Sequence, residues 1–344
     1  MEEIENFMDI EEIESEPSYT ILKGRIKEPL KENIEAIKHI LSQQGYFPFF
    51  EKRGERHIIK YGYIGYRARR PSKNWVNLLL LIATILTTLW AGSTHQGGSP
   101  FKNPLDLFLG IPFSFSILLI LGCHELGHYF TCKRFGIDAT LPYFLPVPHP
   151  LLGTMGAVIR IRSIIPDRKA LIWVGAMGPI IGFILAIPIT FIGLRLSTLT
   201  TLKGGIGLGS SIIFWALSKL VFPHIPSGYN ISLHSVAFAG WLGFFVTAMN
   251  LLPLGQLDGG HIIYALFKEY KRYINLGVIG ALVLLGIFWP GWWFWVALIL
   301  LLGMRHSRTQ DEITPLGKGE KVLALFTLSI FILSFVPIPF LPPR

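Results

Sequence analysis

Two histidines four residues apart flank a glutamate in the stretch LILGCHELGHYFTCKRFG. On an α-helix His124 and His128 fall one turn apart on the same face, so both imidazoles can reach one divalent ion while Glu125 lies beside them. H-E-x-x-H is the signature of zinc hydrolases. Zinc lowers the pKa of a bound water toward ~7, and a neighbouring carboxylate can then take its proton as the oxygen attacks a peptide carbonyl. The duller reading, histidines that pack or cap a helix, is weakened by location. The cluster ends an apolar run, and an ionisable residue within a membrane span costs roughly 2.5 to 3.5 kcal/mol on insertion scales.

Two histidines leave a catalytic zinc site one protein ligand short, the fourth position being kept for water. Asp258 is the candidate third ligand at matching depth. His124 lies nine residues before Lys133, and Asp258 ten before Lys268. If both segments are helical, each sits roughly 13 to 15 Å from the same membrane boundary. Both must then run in the same direction, which constrains everything between them.

Composition supports a membrane setting. Of 344 residues, 51% are hydrophobic and 15% charged, and the apolar residues form long runs, as in a multi-pass helical membrane protein. The net charge of +9 sits largely in short loops beside those runs, where it signals topology rather than nucleic-acid binding. Cys123 and Cys132 are nine residues apart on one predicted helix, roughly 13 Å along its axis and too far for a disulfide.

The pattern along the chain predicts an all-α polytopic membrane protein with about seven spanning helices, a small N-terminal α+β cytosolic domain and a membrane-associated β-hairpin. Residues 1–17 are acidic, lack the basic start and apolar core of a signal peptide, and read as a flexible tail on the cytoplasmic side. Residues 18–70 read as the α+β domain: YTILKGRI and HIIKYGYIGY as strands, and between them a helix with Leu30, Ile34, Ile37 and Leu41 at helical spacing, stopped by Gly45. Spans are expected near 75–91, 105–130, 170–193, a helix from His234 to Phe267 broken at NLLPLGQLDGG, 274–289, 292–304 and 322–340. Residues 206–222, short and interrupted by Gly, Ser and Lys219, read as an interfacial or re-entrant segment, with residues 311–344 forming a loop and the last span. GTMGAVIRIRS in the loop after the zinc helix reads as a strand or hairpin, and GAMGPIIG places Gly175, Gly178 and Gly182 where helices approach closely.

HELGH in one span, GPI in the next and NLLPLGQLDGG in a third resemble the site-2 protease family of intramembrane zinc metalloproteases, in the archaeal, bacterial and plastid branch without a PDZ domain. The resemblance covers roughly residues 75–310. It implies one zinc ion held by His124, His128 and Asp258, Glu125 as catalytic base, and Asn250 near the active site, binding substrate or stabilising the oxyanion. The implied partners are the lipid bilayer and a transmembrane protein substrate, cut in or near its membrane segment. An unpaired edge at Val158 and Ile159 is the candidate for receiving that substrate as an added strand. A metal transporter with the same ligands would need a path of ionisable groups, whereas acidic residues in the predicted spans are nearly confined to Glu125 and Asp258. A silent regulatory binding protein would not need every ligand and the base intact.

After the first span, thirteen Lys and Arg fall on the proposed cytosolic side and five on the other. By the positive-inside rule the N-terminus and the loop holding Arg168 then face the cytosol. Cysteine labelling from outside should reach positions near Gly97 and Ser227 but not Arg168 or Lys318; outside labelling at Arg168 would invert the topology.

Overall fold

The computed structural model describes residues 2–63, 74–201, 206–302 and 308–341. The basic RARRPSK stretch lies outside these residues, as do Lys203, Arg305 and Arg344 among the basic residues counted after the first span.

The acidic N-terminus is ordered, contrary to the expected flexible tail. After a single helical turn, α1 (Glu2–Glu5), residues Met8–Glu16 form strand β1, paired antiparallel with β2 (Tyr19–Ile26). A register shift between Ile10 and Glu12 breaks the two-residue alternation that would have betrayed a strand. The acids are matched from elsewhere in the sheet: Lys23 pairs with Glu12 and Glu14, and Arg56 with Glu11. Helix α2 (Leu30–Gln43) buries Ile34, Ile37 and Leu41 against this sheet and stops at Gly45, whose φ of 80° suits glycine. Strands β3 (Tyr46–Arg53) and β4 (Arg56–Tyr63) complete an antiparallel sheet of order β1-β2-β4-β3, leaving β3 on an edge.

Among the described residues three helices are long and apolar enough to cross a bilayer: α3 (Asn74–His95), α4 (Ile111–Arg134, entered through a 3-10 turn at Pro104–Gly110) and α5 (Arg168–Arg195). At 1.5 Å per residue they measure roughly 33 to 42 Å, against a hydrocarbon core of about 30 Å. The other helices of this part of the chain are shorter: α6 (Ile212–Val221), α7 (Ser235–Asn250), α8 (Asp258–Phe267), α9 (Lys271–Leu285), α10 (Gly291–Leu302) and α11 (Lys318–Ser334). Helix α5 is central, packing on α4, α6, α7, α8 and α11. Helix α11 ends six residues before the expected boundary. Pro337 and Pro339 supply no amide to continue it, and Phe340–Leu341 (β10) instead pairs with Gly207–Leu208 (β8). A second short pair joins β7 (Thr198–Thr200) to β9 (Asn230–Ser232).

The expected hairpin is present but shorter, and its position is the main surprise. Strand β6 (Thr154–Val158) ends before Arg160 and pairs antiparallel with β5 (Tyr143–Pro146), with a further bridge between Ala139 and Ile161. The hairpin lies along the length of α3. Asn77 Nδ2 donates to the carbonyls of Leu141 (2.8 Å) and Pro142 (2.9 Å), Thr87 Oγ1 to Gly153 O (2.6 Å) and Thr94 Oγ1 to Pro150 O (2.9 Å), while His95 Nε2 lies 3.0 Å from Leu151 O. From Asn77 to His95 is about 27 Å of helix. Polar side chains of α3 thus satisfy carbonyls that the lipid could not, the condition on which non-helical backbone survives at membrane depth.

The loop before α11 joins the two parts of the chain. Phe50 N donates to Gln310 O (2.8 Å) and Glu312 N to Phe50 O (3.0 Å), so residues 310–312 extend the sheet from its β3 edge. On their other side Gln310 N and Asp311 N donate to Ile165 O and Pro166 O, just ahead of α5, and Ile313 is buried in the core of the N-terminal unit.

On β4, His57 Nδ1 accepts from Ile26 N at 3.0 Å, which requires a ring nitrogen free of its proton. Burial holds the His57 pKa below its ordinary value, Lys52 and Arg25 push it the same way, and Glu28 opposes them. The folded unit therefore takes up this proton less readily than the unfolded chain. The stability is fully present above the unfolded value of about 6.5 and is lost as pH falls through the lower folded value. Limited proteolysis of the full chain should cut residues 46–63 sooner at about pH 5 than at about pH 7, and His57→Gln should shrink that difference.

Candidate metal centre

The HELGH segment falls in the second half of α4, where every i and i+4 pair shares a face. His124 and His128 are both buried there, at 3% and 5% exposure, with Glu125 at 6%. Asp258 reaches them from α8. Its Oδ2 lies 3.4 Å from His124 Nε2 and 3.2 Å from His128 Nε2, and one ligand atom from each of the three residues lies within 4.8 Å of the others. The Glu125 carboxylate stands 4.0 Å from His124 Nε2.

Several features hold this arrangement in place. His128 Nδ1 sits 2.6 Å from Val174 O on α5; with the proton on that nitrogen, donated to the carbonyl, the Nε2 lone pair faces Asp258. The glycines of GAMGPIIG make room. A Cβ at Gly178 would fall on the His128 ring, one at Gly182 would lie 3.0 Å from His124 Nδ1, and one at Gly175 would lie 3.0 Å from Asp258 O. The close approach expected for these glycines is thus made to the imidazoles and to α8.

Asp258 owes its position to the break in NLLPLGQLDGG. Residues 251–257 fold back in tight turns, with Leu254 N donating to Leu252 O (2.7 Å) and Leu257 N to Leu254 O (3.1 Å), and Gly255 takes a φ of 53°. Side chains at Gly259 or Gly260 would strike the carbonyls of Leu251 and Leu254. The aspartate becomes the first residue of α8, where the helix dipole favours an anion.

Beside the cluster is a cavity of about 170 Å³ lined by Glu125, His128, Val158, Ile159, Asn250 and Asp258 among others. Every candidate residue named from the sequence except His124 lines it, and His124 borders it through Asn250, whose Nδ2 is 3.3 Å from His124 Nε2. His261 also lines the cavity. Among the described residues β6 pairs only with β5, and Val158 and Ile159 line the cavity together with Glu125. The Val174 carbonyl is a functional group that no side-chain pattern announces. A larger groove of about 380 Å³ between α4 and α5, walled by Leu126, Phe130, Met177 and Ile181, contains none of the ionisable cluster. Cys123 lines that groove and points away from the ligands, as its place on the helix predicts.

Residues 112–288, just over half of the chain, match peptidase family M50. The chain belongs to this family, that of the site-2 proteases. It is 30% identical over 252 residues to the Arabidopsis thaliana protein named probable zinc metalloprotease EGY2, chloroplastic, covering 70% of this chain and 44% of that one. It is 28% identical over 240 residues to Arabidopsis EGY1, and 27% identical over 292 residues to Oryza sativa EGY3, both also named probable chloroplastic zinc metalloproteases. The chain spans less than half the length of these relatives. No solved structure matches it. Zinc fits the donor set on chemical grounds: two imidazole nitrogens and a carboxylate oxygen converge, a carbonyl orients one ring, and one side stays open to a cavity.

The glycine clearance is directly testable. Gly178→Ala should displace the His128 ring and lower zinc retention against a chelator by about 10-fold or more. Gly182→Ala should lower it less. Gly122→Ala, whose Cβ would meet its nearest neighbour at 3.6 Å, should match the wild type in the same assay.

Proposed function

We propose that this protein is a zinc-dependent intramembrane endopeptidase that hydrolyses a peptide bond in or near a transmembrane segment of a membrane protein. The observation that carries the reading is the meeting of buried His124 and His128 and half-buried Asp258 with the Glu125 carboxylate and an open strand edge around one cavity. Zinc, when bound by the three side chains, supplies Lewis-acid polarisation of water and of a peptide carbonyl. Glu125 takes the proton of the attacking water and passes it to the leaving nitrogen. Glu125 shares the wall of the cavity with Val158, the last residue of β6.

A helical substrate shields its carbonyls with its own hydrogen bonds and must unwind locally before attack, which leaves backbone groups in need of partners. The free edge of β6 at Val158 and Ile159 supplies them by strand addition. Asn250 lies beside His124, where its amide serves substrate or oxyanion binding. In this reading residues 75–310 form the protease unit. The helices α7 with α8, α9, α10 and α11 add further crossings to the three long spans, for about seven in all, and α6, about 15 Å long, lies at the interface. The site opens toward the cytosolic side, on which the N-terminus also lies.

The reading predicts a separation of effects. Glu125→Gln should slow cleavage of a membrane substrate at least about 100-fold with zinc largely retained, whereas alanine at His124, His128 or Asp258 should reduce zinc itself. Val158→Pro should impair cleavage with zinc content unchanged. Wild-type rates from Glu125→Gln in purified protein would refute the proposal.

A further inference from the structure

Helix α8 has only ten residues, follows the irregular turns of residues 251–257 and runs directly into a 3-10 turn at Lys268–Tyr270. A helix this short has little stability of its own, so whatever grips its two ends sets its position. Its first turn is gripped by backbone: Gly259 and Gly260 pack against the carbonyls of Leu251 and Leu254. Its last turn is gripped from outside the bundle. The Glu312 side chain, 2% exposed, accepts hydrogen bonds from the Tyr264 hydroxyl and the Lys268 ammonium. Arg168, at the start of α5, donates to Ala265 O (3.4 Å) and to Thr314 O (3.0 Å), tying the same turn to the same loop.

The residues that present Glu312 belong to the seam with the N-terminal unit. Glu312 N donates to Phe50 O on β3, and the next residue, Ile313, is inserted in that unit's core. Lys268 Nζ also lies 3.6 Å from Glu51 of β3, and Arg308 lies 3.5 Å from the same carboxylate. A buried carboxylate is held wherever its partners are, because moving it away from them leaves an uncompensated charge. The N-terminal unit therefore fixes Glu312, and Glu312 fixes the end of the helix whose first residue is Asp258.

We propose that Glu312 is a positioning residue for the metal centre, through which the docked N-terminal unit sets how α8 presents Asp258. Docking and undocking of that unit then provides a means of regulating the site from outside the membrane. The inference rests on the reading of Asp258 as a metal ligand.

The test uses the full chain in detergent, as wild type, Glu312→Ala, Glu312→Gln and Tyr264→Phe. In metal-stripped protein, hydrogen exchange of residues 258–267 should quicken roughly 10-fold in Glu312→Ala while β2 and β4 keep wild-type protection. Zinc retention against a chelator should fall about 10-fold, and kcat should fall with KM unchanged. Glu312→Gln, which keeps an acceptor for Tyr264, should recover much of both, and Tyr264→Phe should reproduce part of the loss. Wild-type exchange and zinc retention in Glu312→Ala would overturn the proposal, as would losses that follow unfolding of the N-terminal strands. If the wild type neither holds zinc nor cleaves, the proposed function fails, and the exchange measurement still decides whether Glu312 positions α8.

Discussion

A carboxylate and two imidazoles brought together inside an apolar bundle must be compensated where they stand, and the rest of the structure follows from that requirement. Desolvation penalises each group separately, so none is stable at this depth without the others or a cation. The observed solution is mutual: Asp258 Oδ2 lies within 3.4 Å of both imidazoles, and the Val174 carbonyl holds the far side of His128. Two helices must then meet closely enough for one short aspartate side chain to bridge them. Gly175, Gly178 and Gly182 on α5 permit this, because side chains there would occupy the space of the rings and of α8.

The same low-dielectric setting governs the backbone. Residues 251–257 and the β5–β6 hairpin are irregular backbone packed among apolar helices, where buried amides and carbonyls need partners. The turns are covered by α8 through Gly259 and Gly260, and the hairpin by the Asn, Thr and His side chains of α3. Among the described residues one edge of β6 has no strand partner. In the proposed function that edge supplies partners to a substrate that unwinds beside Glu125.

Much of the centre was legible because its signals are local. The HELGH spacing places two ligands on one helix face, and the distance of Asp258 from Lys268 gives its depth without any knowledge of packing. What was missed is non-local or masked. The partner of β6, YFLP, carries no alternation, and its alignment with α3 depends on side chains some sixty residues away. The bulge in β1 hid an edge strand behind a run of acids, and Glu312 sits in a polar loop that reads as a connector until Tyr264 and Phe50 are brought to it. The end of α11 was readable, since Pro337 and Pro339 are in the sequence, but continuous apolarity outweighed them.

The central claim is that two imidazoles and one carboxylate, and no thiolate, hold zinc within the bundle. X-ray absorption at the zinc edge of the purified wild-type protein measures this directly. The account predicts imidazole scattering from two histidines and oxygen or nitrogen donors at about 2.0 to 2.2 Å, with no sulfur. A sulfur shell near 2.3 Å, which would bring in Cys123 or Cys132, or a spectrum without imidazole, would contradict it.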